Sequence, residues 1–116
     1  NGNWPLKGCP MDGGAVAIAK DGIPQTVWNR EGTIYASELG KHEKEIGKGR
    51  SCTLEIVNRK NVYAWVENGN VVVLMPQGMK KMLGKGQLPI LKAANDRQVI
   101  CVWENEKQIH NSILEL

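Results

Sequence analysis

Three tryptophans constrain the fold of this chain more than any other feature. Trp28, Trp65 and Trp103 recur at intervals of 37 and 38 residues, and each opens a polar run: Trp28-Asn29-Arg30-Glu31-Gly32, Trp65-Val66-Glu67-Asn68-Gly69 and Trp103-Glu104-Asn105-Glu106. The same offset returns in Gly47-Lys48-Gly49 and Gly84-Lys85-Gly86, and again in Gly40 and Gly78. Independent features in one register mark a tandem array, in which each repeat is a supersecondary unit that cannot bury its apolar surface alone.

Strand signals fall in the same order in every unit. Unit one reads Gly14 to Lys20, Gln25 to Asn29, Thr33 to Ser37 and Lys44 to Gly47, with turns at Asp21-Gly22 and Glu31-Gly32. Unit two reads Cys52 to Val57, Val62 to Glu67, Asn70 to Met75 and Met79 to Leu83, the second and third joined by the hairpin dipeptide Asn68-Gly69. Unit three supplies Ile90 to Ala94, Val99 to Glu104 and Gln108 to Leu114, one strand fewer. A twelfth strand is expected at Trp4-Pro5-Leu6-Lys7-Gly8, which matches the tails Glu45-Ile46-Gly47-Lys48-Gly49 and Met82-Leu83-Gly84-Lys85-Gly86 with one residue deleted.

Val62-Tyr63-Ala64-Trp65-Val66, Val71-Val72-Val73-Leu74-Met75 and Val99-Ile100-Cys101-Val102-Trp103 are apolar at successive positions. A sheet with one wet face alternates apolar with polar residues, so these strands need cover on both faces. Stacked neighbouring units provide it. The expectation is an all-β chain of three four-stranded antiparallel blades of a β-propeller, half of a six-bladed ring. The expected divisions are an outer closure strand over 1–10, blade one over 11–49, blade two over 50–86 and blade three over 87–116. Propellers have roughly four to eight blades, so three need a partner. That partner is either the missing blades of a longer chain or a second copy related by a two-fold axis. The start at Asn1, without an initiator Met, adds the expectation that a signal peptide, a parent chain or a tag preceded it.

Composition narrows the function classes. Among 116 residues, 41% are hydrophobic and 23% charged, as in an ordinary globular protein, and no run of about 18 apolar residues could span a bilayer. The net charge is +3 with acids and bases interspersed, which does not make the one-sided basic face of a nucleic-acid binder. Cys9, Cys52 and Cys101 lie far from any C-x-x-C spacing, and His42 and His110 have no partner at metal-ligand spacing. Buried thiols, or one disulfide with a spare, and solvated histidines are expected. No metal or cofactor is implied.

The opening Trp4…Gly8-Cys9-Pro10-Met11-Asp12-Gly13-Gly14-Ala15-Val16-Ala17, followed by Asp21-Gly22 and Val27-Trp28, resembles a blade of the sialidase-like propellers that carry BNR (Asp-box) repeats. The Asp-box itself is decayed: Ser37-Glu38-Leu39-Gly40 keeps a Ser and a Gly at another spacing, and Met75-Pro76-Gln77-Gly78 keeps only the Gly. The resemblance implies a secreted or periplasmic, carbohydrate-related protein. The family's enzymes are six-bladed and use an arginine triad, a Tyr/Glu nucleophilic pair and an Asp acid/base. None of these roles transfers, because Arg30, Arg50, Arg59 and Arg97 sit in no matching catalytic context.

Meander topology places the turn between second and third strands at the same edge as the connection to the next blade. That edge, the expected mouth, gathers Asp12, Arg30, Glu31, Arg50, Glu67 and Glu104, the candidate ligand-binding residues, on loops of a rigid scaffold. Arg30 and Arg50 could clamp a carboxylate. Glu31, Glu67 and Glu104 could supply paired carboxylates, although solvated turn residues would show the same pattern. The repeated Trp reads as packing between blades, and Lys80-Lys81 as a charged guard on an outer strand. The leading expectation is a non-catalytic module binding a glycan or protein at this mouth. Part of a sialidase-like glycoside hydrolase is the alternative, and a structural or assembly propeller the third reading.

Overall fold

A computed structural model describes residues 14–18, 22–38 and 41–116. All regular structure among them is β. Eleven strands run in chain order: β1 (Gly14–Ile18), β2 (Pro24–Arg30), β3 (Thr33–Glu38), β4 (Lys44–Lys48), β5 (Arg50–Val57), β6 (Lys60–Glu67), β7 (Asn70–Leu74), β8 (Lys80–Lys85), β9 (Gln87–Asn95), β10 (Gln98–Asn105) and β11 (Gln108–Glu115). They form three antiparallel meanders in the orders β1-β2-β3-β4, β5-β6-β7-β8 and β9-β10-β11. Every expected strand of the three units is present, and the third sheet has three. The sheets do not close on one another. The expected strand Trp4 to Gly8 and the Asp21 turn position lie outside the described residues.

The hairpins follow from local chemistry. Glu31-Gly32, Asn58-Arg59, Asn68-Gly69 and Glu106-Lys107 all have positive φ at both central residues. This is the type I′ geometry whose twist matches that of the flanking strands. The repeat also extends to its irregularities. The β3–β4 ladder slips between Ile34 and Tyr35, and the β7–β8 ladder slips at the equivalent Val71 and Val72. Ser51 and Leu88, at the bulges that open β5 and β9, share a φ of 56°.

Successive sheets are joined by one residue, Gly49 between β4 and β5 and Gly86 between β8 and β9. Each junction amide donates to the preceding hairpin: Gly49 N to Gly32 O at 2.9 Å, and Gly86 N to Gly69 O at 3.0 Å. A Cβ on Gly49 would stand 2.1 Å from the Val66 carbonyl oxygen, and one on Gly47 would stand 2.4 Å from the Trp65 ring. A Cβ on Gly86 would likewise stand 2.3 Å from Trp103. The repeated Gly-Lys-Gly and the repeated Trp are therefore two sides of one contact, in which the tail of one sheet crosses the indole of the next.

The sheets stack through two cores. Val27 and Ile34 of the first sheet meet Cys52, Leu54, Trp65 and Val72 of the second. The opposite face of the second sheet, with Val62, Ala64, Val66, Val71, Val73 and Met75, meets Leu91, Val99, Cys101, Trp103 and Leu114 of the third. The two-residue period of a strand explains why β6 sends Trp65 one way and Val66 the other. The second sheet is thus covered on both sides, as its composition requires. The third is not: Ile100 and Val102 are only half-buried on its far face. The first strands lie side by side, β5 against β1 and β2, then β9 against β5 and β6. The Glu55 carboxylate accepts the Ala93 N–H at 2.7 Å and ties two of them together.

Candidate functional site

The expected mouth is only partly assembled. Asp12 lies outside the described residues. Arg30 turns back along its sheet, with its guanidinium 4.3 Å from the Tyr35 ring centre and its Nη2 2.6 Å from Glu43 Oε2. The Glu43 carboxylate and Tyr35 hold Arg30 further toward its charged form. Glu67 accepts from Trp65 Nε1 at 3.3 Å and from Lys80 Nζ at 3.1 Å. The Arg30–Glu43 and Glu67–Lys80 pairs occupy equivalent places in successive sheets with their signs exchanged, so both read as ties from the second strand to the start of the outer strand. The outer-strand lysine Lys80 thus has a partner. Glu31 is an exposed turn residue and Glu104 a half-buried one on β10, in a different sheet. Arg50 does reach a cavity of about 350 Å³, which it lines with Asn29, Gly32, Val66, Asn68 and Gly69.

The larger cavity, about 750 Å³, opens at the opposite edge, between the first and second sheets. Its walls come from the starts of β2 and β6, the ends of β3 and β7, the segment before β4 and the turn at Arg59. Four polar side chains join across it. Asn61 Nδ2 donates to Gln25 Oε1 at 3.2 Å and to the Tyr63 hydroxyl oxygen at 3.1 Å, and Gln25 Nε2 donates to Glu38 Oε1 at 3.2 Å. Lys41 Nζ closes the chain on Glu38 Oε2 at 3.2 Å. Burial raises the Tyr63 pKa, with the Asn61 hydrogen bond opposing it, so Tyr63 stays a phenol that can still donate its proton.

Among the described lining residues, Lys41, Lys44, Arg59 and Lys60 stand around this network against one carboxylate, Glu38. Ile46, Leu74 and Pro76 supply apolar wall. The arrangement can accept and donate hydrogen bonds at fixed positions and favours an anionic guest. Sequence reasoning missed it because Gln25, Asn61 and Glu38 are ordinary strand-end residues that meet only when two sheets stack. The available signal was the cluster of cations at 41, 44, 59 and 60, in turns and strand starts at one edge.

The remaining reactive candidates are occupied elsewhere. Cys52 and Cys101 are buried thiols, pushed up by burial to about 11 and about 12, and Cys9 lies outside the described residues. His110 is half-buried and stacks on Trp103 at 5.9 Å, where solvation had been expected; His42 is exposed at the cavity. Among the described residues no group of His, Cys, Asp and Glu could hold a metal ion, and no helix is long and apolar enough to cross a membrane. Comparison with protein-family models, with curated proteins and with solved structures finds no match.

Proposed function

We propose that this chain is a non-catalytic binding module built on three propeller-type blades, and that it holds a carboxylated glycan in the cleft between its first two sheets. The observation that carries the reading is the Tyr63–Asn61–Gln25–Glu38 chain, a preformed row of donors and acceptors bridging both sheets. Sugars present dense hydroxyls, and such rows match them without the cost of ordering loose side chains. The surplus of Lys41, Lys44, Arg59 and Lys60 over Glu38 adds attraction for a carboxylate. Two-carboxylate glycoside hydrolysis needs a second acid facing the first. Among the described residues that line the cleft the one carboxylate is Glu38, and it is engaged by Gln25 and Lys41. The side-by-side order of β1, β5 and β9 supports a propeller arrangement, with first strands nearest the axis.

Calorimetric titration with trigalacturonate and its carboxyl-reduced counterpart tests this. The acid should bind and the neutral sugar bind at least about tenfold more weakly, roughly 1.4 kcal/mol. Asn61→Ala and Arg59→Ala should each weaken the acid by a similar factor, while Glu31→Ala, at the opposite edge, leaves it unchanged. Equal binding of both sugars, or loss only with Glu31→Ala, would overturn the assignment of this cleft.

A further inference from the structure

The chain makes one kind of sheet-to-sheet contact twice, and each end sheet carries the positional counterpart of one of its two faces. The second and third sheets each have a leading face, which bears the tryptophan and meets the preceding sheet, and the first and second each have a trailing face, which meets the next; the leading face of the first sheet carries Trp28, 4% exposed. On the leading side Val16 pairs with Thr26, as Leu54 pairs with Tyr63 and Leu91 with Cys101. Leu54 and Leu91 are buried against a preceding sheet at 6% and 5% exposure, whereas Val16 and its neighbour Ile18 stand 61% and 66% exposed. On the trailing side the Val66–Val71 and Ala64–Val73 pairs of the second sheet become Glu104–Ile109 and Val102–Asn111 in the third, and Val62 and Met75, which share a core, become the paired Ile100 and Ile113. Val71 and Met75 are 0% and 2% exposed, while Ile109 and Ile113 are 70% and 59% exposed. Ile90 on β9 and Leu88 beside it extend the same apolar face.

We infer that a second copy of this chain seats the leading face of its first sheet on the trailing face of the third, continuing the internal stacking across a molecular boundary. Solvent-facing sheet positions are normally polar, so an aliphatic face of this extent on an antiparallel sheet marks a contact. The internal interfaces specify its partner, because they show a Val16-type row packed on an Ile113-type row in this same chain. The contact is heterologous: each copy gives one face and receives the other, so two such junctions close a pair of chains into a ring of six sheets. This inference rests on the stacking geometry and not on the ligand, since the proposed cleft lies within one copy. Ligand titration of a monomeric variant therefore separates failure of one from failure of the other.

Sedimentation velocity on the 116-residue chain provides the test. The unaltered protein should sediment as a dimer at micromolar concentration. Val16→Lys/Ile18→Lys removes the leading face and Ile109→Glu/Ile113→Glu the trailing face, and each should give a monomer with unchanged circular dichroism. Mixing these two monomers should restore a one-to-one dimer, because each retains the face the other lacks. A monomeric unaltered chain, or a mixture that stays monomeric while both variants keep their β spectrum, would overturn the inference. So would a dimer that survives both double substitutions.

Discussion

Replacing Gly49 with alanine probes the junction on which the stacking depends. The backbone there has φ +143°, a region that L side chains rarely adopt, and the new methyl would lie 2.1 Å from the Val66 carbonyl oxygen and 2.7 Å from Trp65 Cδ1. The carbonyl belongs to the β5–β6 ladder and cannot rotate away, so relief requires moving the strand. Backbone strain of about 1–3 kcal/mol and overpacking of about 1–3 kcal/mol give a loss of roughly 2–6 kcal/mol. Set against a total stability of about 5–15 kcal/mol, that is a large fraction. Gly69→Ala is the matched control: its φ is +81° and no atom lies within 4 Å of the added carbon, leaving only a left-handed penalty of about 1–2 kcal/mol. Urea unfolding followed by tryptophan fluorescence, with the slope held common, reads both losses. Equal losses at positions 49 and 69 would refute the close crossing of Gly49 over the second sheet.

Three further outcomes follow from the described geometry. Burial places the Cys101 and Cys52 thiols at about 12 and about 11, so between the ordinary thiol range and those values the unfolded chain binds fewer protons than the folded one. Stability should therefore fall as pH rises through that window, and a disulfide reagent at mildly alkaline pH should label these thiols only after urea unfolding; rapid native labelling would contradict their burial. The Arg30–Glu43 pair is exposed at 48% and 41%, so a double-mutant cycle with Arg30→Ala and Glu43→Ala should return a coupling of about 0.2–1 kcal/mol that shrinks with salt; a salt-independent coupling several times larger would show a dry contact instead. Buried Asn29 accepts the Gly32 N–H through Oδ1 at 3.0 Å, and Asn29→Ala should lower the urea midpoint by about 1–3 kcal/mol of stability, with no loss meaning that the turn amide finds water.

The eleven strands were legible because their signals are local. Apolar runs between Gly, Asn and Asp turns identify strands, and the hairpins at Glu31-Gly32 and Asn68-Gly69 adopt the turn geometry their residues favour. Most displaced strand ends lie outward by one to three residues, the largest shift at β9, which starts at Gln87 and not Ile90, whereas β7 ends one residue early at Leu74 and β8 starts one residue late at Lys80. The ladder there continues through a bulge at Leu88, and a bulge leaves no compositional mark. The candidate site was far less legible. Topology groups Arg30 and Glu67 at one mouth, yet each is drawn along its own sheet by an oppositely charged residue at or just before the start of the outer strand.

By itself the sequence determined the period, the strand order and the need for cover on both faces of the second sheet, because repeat register and two-residue alternation are properties of neighbouring positions along the chain. Only the tertiary structure decided that Gly47 and Gly49 make room for Trp65, that Gln25 meets Asn61 across two sheets, and that the apolar rows at Val16 and Ile113 remain uncovered. Those facts depend on how sheets cross and stack. Contacts between residues about 37 positions apart are set by packing, and a strand pattern does not encode which of its two faces finds a neighbour.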